Sequence, residues 1–95
     1  MDQRALDLGR RVNTMVQNRF QGNYRQAFNH YAQGGAEVSG NQVGRMLGDA
    51  GVGNLLTRGA YKDAVMDRFD TNRNGGVSWS EFQSGMRQVG VNVGQ

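Results

Sequence analysis

Asp70 and Glu81 close the two ends of the most oxygen-rich stretch of the chain. The segment DTNRNGGVSWSE, residues 70–81, sets oxygen-bearing side chains at its positions 1, 3, 5, 9 and 12, namely Asp70, Asn72, Asn74, Ser78 and Glu81. Gly75 stands at position 6 and Val77 at position 8. A hard cation takes several oxygens at about 2.3–2.6 Å, and so short a segment can aim them at one point only if it turns sharply in mid-course. Gly75 is the residue free to make that turn.

Two helices must position these donors. Upstream, Tyr61, Val65, Met66 and Phe69 recur at helical spacing, and downstream Phe82, Met86 and Val89 do the same. Loop and flanks together, residues 54–89, match D-x-[DN]-x-[DN]-G-x5-E in its helical context and resemble the EF-hand superfamily. The resemblance implies calcium as the cation, one Ca2+ per chain. It implies that Asp70, Asn72 and Asn74 each offer a side-chain oxygen, Gly76 its backbone carbonyl, Ser78 a hydroxyl acting through water, and Glu81 both carboxylate oxygens. Read without the resemblance, the segment is an Asn- and Gly-rich turn between helices, which leaves the placement of Asp70 and Glu81 at its two ends unexplained.

An internal repeat lies upstream. At an offset of 39 residues Val38 falls on Val77, Ser39 on Ser78, Val43 on Phe82 and Leu47 on Met86. The resemblance extends to this first unit, residues 24–51, as a degenerate hand. Its ligand positions, in the loop running from Tyr31 to Gln42, hold Tyr31, Gln33, Gly35, Ser39 and Gln42, with no carboxylate among them, and Glu37 is the only acid nearby. Phe28 lies two residues further from Val38 than Phe69 does from Val77, so the entry to this loop is irregular. The expectation is a first loop without calcium, kept because paired hands exchange a short antiparallel bridge at position 8, here through Val38 and Val77.

The N-terminal segment, residues 3–19, reads as an amphipathic helix with Ala5, Leu8, Val12, Met15 and Val16 on one stripe and Arg4, Arg10, Arg11 and Arg19 off it. Two roles fit that pattern: a cover for the core, lying in an apolar groove of Phe28, Phe69, Phe82, Met46, Met66 and Met86, or a basic helix for a membrane surface or partner. A second helix from Tyr24 to Ala32 presents Tyr24, Ala27, Phe28 and Tyr31. In the linker GVGNLLTRG, Asn54 is expected to cap the helix that follows. Trp79 is expected at the surface.

Ninety-five residues make one domain, 1–95, with a core for four or five helices. There is no proline to break helices and no cysteine for a disulfide, thiolate site or thiol nucleophile. His30 is the only histidine, Asp63 and Asp67 read as solvated helix surface, and no glycine-rich stretch ends as a phosphate loop does, so the chain is not expected to be an enzyme. The formal charge of +3 is spread over dispersed Lys and Arg, which argues against nucleic acid as partner. No run is long enough for an integral membrane helix, and the start lacks the apolar region of a secretory signal, so cytoplasm, or export without a readable signal, is the expected location. The fold class expected is all-α: an EF-hand pair joined by a short β bridge, with an additional N-terminal helix, as a monomer. Its expected function is calcium-dependent regulation or sensing toward a protein partner. The alternatives are a module held by constitutive calcium and a basic nucleic-acid or membrane-surface binder.

Overall fold

In the computed structural model, residues 3–53 and 57–93 are described, apart from the side chains of Arg4 and Arg58. The order is α1 (Gln3–Phe20), α2 (Tyr24–Ala32), β1 (Glu37–Ser39), α3 (Gly40–Asp49), α4 (Arg58–Phe69), β2 (Gly76–Ser78) and α5 (Trp79–Gln88). The chain is therefore mostly helical, with one two-stranded antiparallel sheet. None of the described helices is long and apolar enough to cross a membrane.

Helix α1 forms where its apolar stripe repeats, and it buries that stripe: Leu8, Val12, Met15 and Val16 are buried and Ala5 packs on the same core. The helix ends because Gln21 and Gly22 adopt left-handed backbone, φ 56° and 80°, and turn the chain back. Asn23 then caps α2, its side chain accepting from the Gln26 N–H at 2.9 Å. Helix α2 buries Tyr24, Ala27, Phe28, Tyr31 and Ala32. The phenol of Tyr24 donates to Asn13 on α1, and burial pushes its pKa up to about 12.

Strands β1 and β2 pair with Glu37 opposite Ser78, Val38 opposite Val77 and Ser39 opposite Gly76. The bridge expected at Val38 and Val77 is present, and both valines are 1% exposed. Each strand runs straight into a helix through a capping box. Ser39 Oγ accepts from Gln42 N–H while the Gln42 side chain accepts from Ser39 N–H, and Ser78 and Glu81 repeat the arrangement. Among the described residues the buried apolar side chains form one cluster that joins Leu8 and Val12 of α1 to Phe28, Leu47, Phe69, Phe82 and Met86. Helix α1 is thus part of the core. The residues expected to line its groove, Phe28, Phe69, Phe82, Met46 and Met86, are buried, and Met66 is partly so.

The cap assigned to Asn54 lies outside the described residues. One expectation changes. Trp79 is half-buried rather than a surface side chain, with its ring stacked on Phe82 at 5.8 Å, edge-on to Phe28 at 5.4 Å and under the Arg25 guanidinium at 4.9 Å. The Arg25 guanidinium and the rings of Phe28 and Phe82 together hold the indole in place.

Close approach of α4 and α5 depends on Gly85, where an added Cβ would sit 2.5 Å from Cγ and Cδ2 of the buried Phe69 ring. Gly85→Ala is expected to lower stability by about 1–3 kcal/mol through overpacking. Urea denaturation measures this as a lower midpoint at an unchanged slope. An unchanged or higher midpoint would mean the two helices have room to spare.

Candidate metal centre

Helix α4 closes at Phe69, and Asp70 follows as its C-cap, its N–H donating to Met66 O at 2.9 Å. The chain then coils through Arg73, φ 55°, and Gly75, φ 87°. The Asp70 carboxylate fills the inside of this turn: Asn74 N–H donates to Oδ1 at 3.3 Å and Gly75 N–H to Oδ2 at 2.9 Å. Asn74 Oδ1 accepts from Gly76 N–H at 3.2 Å, which leads the chain into β2.

From the far end, Glu81 reaches back over the same turn. Its Oε1 accepts from Ser78 N–H at 2.9 Å as the capping box requires. Oε2 goes further, accepting from the Thr71 hydroxyl at 3.0 Å and from Asn72 N–H at 3.3 Å. These bonds, the one from Ser78 N–H foremost, hold the Glu81 carboxyl below the usual carboxylate range even against its desolvation.

Among the described residues Asp70 is the one buried charged side chain, at 7% exposure. Among the described residues no Lys or Arg pairs with Asp70, Glu81 or Glu37; the ion pairs there are Arg10 and Arg11 with Asp7, Arg19 with Asp49, and Arg73 with Asp67. Arg73 belongs to the turn itself, yet its guanidinium lies 3.6 Å from Asp67 on the helix behind. A buried carboxylate is costly to desolvate, and the two backbone N–H bonds to Asp70 offset part of that cost.

Of the residues expected to bind metal, Asp70, Asn74, Ser78 and Glu81 come together around one turn. Asn72 is exposed and joins through its N–H, and Gly76 is buried in β2 opposite Ser39. Ser78 Oγ is engaged as a helix cap, accepting from Glu81 N–H at 3.2 Å. Asp70 Oδ1, Asp70 Oδ2 and Glu81 Oε1 each use one lone pair here and keep another, whereas both lone pairs of Glu81 Oε2 are engaged by Thr71 and Asn72 and would have to be given up to a cation. Among the described residues no group of three His, Cys, Asp or Glu side chains is placed to hold a metal; the donors here are two carboxylates with amide, hydroxyl and backbone oxygens.

The first loop departs from the expected alignment. Tyr31, matched by offset to Asp70, lies inside α2, because that helix continues through Ala32. Its hydroxyl donates to Asp49 Oδ2 at 2.5 Å, and burial, then Asp49, pushes the phenol well above its ordinary value. Only residues 33–36 separate α2 from β1, against 70–75 between α4 and β2. The first turn is thus two residues shorter than the second. Gln42 accepts from Ser39 N–H at 2.8 Å just as Glu81 accepts from Ser78, but the other terminus of its amide is a donor nitrogen.

Two participants escape the sequence pattern. Thr71 holds Glu81, and Glu37 of β1 accepts from Asn74 Nδ2 at 2.7 Å across the sheet. The second is signalled only by its place one residue before Val38.

Because the folded Glu81 carboxyl sits below its unfolded value, it adds stability above about pH 4.3 that is lost as pH falls through the folded value. Acid unfolding of Glu81→Gln, without calcium, is expected to show a shallower loss of stability across that window. Parallel curves for the two proteins would mean that the Glu81 carboxyl is not held down by its bonds from Ser78, Asn72 and Thr71. No protein-family model, curated protein or solved structure matches the chain, so what the turn can do is read from its own donors.

Proposed function

We propose that residues 70–81 form an EF-hand calcium loop, and that the chain is an EF-hand pair with one working site and a first unit retained for pairing. The observation that carries this is the buried Asp70, without a cationic partner among the described residues and sharing its turn with the Glu81 carboxylate. Asp70, Asn72 and Asn74 would offer side-chain oxygens, Gly76 its carbonyl, Ser78 its hydroxyl through water, and Glu81 both carboxylate oxygens. A bound calcium ion supplies the positive charge that these groups lack. The chain's own residues set the rest: Gly75 turns the loop, Ser78 and Glu81 start α5, and Val77 ties the loop to the first unit.

The functional reading is calcium-dependent regulation of contact with a protein partner. A second reading, calcium as a constitutive fold stabiliser, has a specific observation behind it. The stripe of α1 already fills the core beside Phe69 and Phe82, where a sensor would receive its target.

Calorimetry is expected to return one calcium per chain with Kd on the order of 10^-5 to 10^-3 M, since only two of the ligands are carboxylates. Two tight sites, or none, would overturn the proposal. Glu81→Gln is expected to remove most of the binding while keeping helix content, because glutamine can still cap α5 as Gln42 caps α3. Heteronuclear spectra decide between the two roles: a folded calcium-free form that rearranges marks regulation, and a calcium-free form without dispersed signals marks stabilisation. Trp79, held between Phe82 and Arg25 inside the loop, is expected to report the same titration by fluorescence.

A further inference from the structure

We propose that Glu37, on the strand of the first unit, is a positioning residue for the cation loop of the second, and that position 74 carries an amide because Glu37 needs a donor there. The inference rests on the calcium reading above and names a residue outside residues 70–81.

The register sets Glu37 opposite Ser78, two pairs from the Ser39–Gly76 pair, so that Glu37 and Gly76 share one face of the sheet. An added Cβ on Gly76 would lie 2.7 Å from Glu37 Oε1 and 3.1 Å from Glu37 Cβ, so the glutamate side chain lies where a side chain at 76 would be. Passing over Gly76, it reaches Asn74, whose Nδ2 donates to Oε2 at 2.7 Å. Among the described residues Glu37 has no Lys or Arg partner, so this bond is the one that holds the carboxylate. A hydrogen bond to an ionised acceptor is stronger than one between neutral groups.

An amide side chain has one donor end and one acceptor end. Tying the donor end to Glu37 leaves Oδ1 on the loop side, where it accepts from Gly76 N–H at 3.2 Å. The flipped amide would set two oxygens against each other at Glu37 and two N–H groups against each other at Gly76. Glu37 thus fixes which end of Asn74 the loop receives. An aspartate at 74 would add a charge that ordinarily strengthens a calcium loop, but it would also place two carboxylates in contact across the sheet.

The test compares four full-length proteins, wild type, Glu37→Gln, Asn74→Asp and the double variant, by calcium calorimetry, with Glu37→Ala added. Glu37→Ala is expected to weaken binding about tenfold, as loss of an outer partner does, and Glu37→Gln less, since glutamine can still accept from Asn74. Asn74→Asp is expected to change affinity by less than about threefold in the wild-type background and to strengthen it about tenfold in the Glu37→Gln background. Equal effects of Asn74→Asp in the two backgrounds overturn the proposal. A second readout needs no metal: in chelator, the Asn74 side-chain amide protons are expected to be widely separated and slow to exchange in wild type and to collapse together in Glu37→Ala. Unchanged amide signals overturn it as well. Should wild type bind no calcium, the calcium reading fails, and the amide signals alone decide whether Glu37 holds Asn74.

Discussion

The pairing of Val38 with Val77 is the joint on which the rest of this small structure depends. Both valines are 1% exposed, and they are the centre of a sheet only three residues long on each side. A sheet so short has little stability of its own, so its hold comes from apolar burial on the inner face. Once it forms, its consequences are local and strict. Ser39 and Ser78 are set to start α3 and α5, Gly76 comes under Glu37, and the turn after Asp70 is closed against the strand.

The two halves use one device with unequal chemistry. Gln42 and Glu81 both accept from the N–H of the serine three residues before, and either serves the helix equally. Only the carboxylate has a second acceptor oxygen, and only there does the chain place donors to meet it, at Thr71 and Asn72. Helix capping and control of the preceding turn are therefore separable in this fold. The first unit retains the former with an uncharged side chain, while the second joins both in Glu81.

Much of this is legible in the sequence where the determinants are local. The stripe of α1 follows from periodicity, which needs no knowledge of distant neighbours, and the bridge at Val38 and Val77 follows from the 39-residue repeat together with the family resemblance; the two serine caps are seen only in the structure. The failures are tertiary. A fixed offset aligns Tyr31 with Asp70, but α2 continues past that point because Tyr31 is buried and finds Asp49 eighteen residues away. Its place in the loop assigns Trp79 to the surface, yet Arg25 and Phe28 approach from another helix. Glu37 reads as a stray acid of a failed loop, since only the sheet register brings it to Asn74.

The position of α1 bears on what a change in the loop can do elsewhere. Phe69 ends the helix before the turn and Phe82 lies in the helix after it, with rings 6.4 Å apart. Leu8 and Val12 of α1 line the same narrow internal void as these two rings and Met86. Interiors packed to this degree transmit displacement rather than absorb it. Gly85 removes the remaining slack by letting the Phe69 ring lie directly on α5. A shift of α4 relative to α5 around the turn must then move the α1 stripe or open a cavity beneath it, and a cavity there costs stability in proportion to its volume. A shift of α4 against α5 would thus reach α1 through a handful of rings, with no need for the helix to touch the loop.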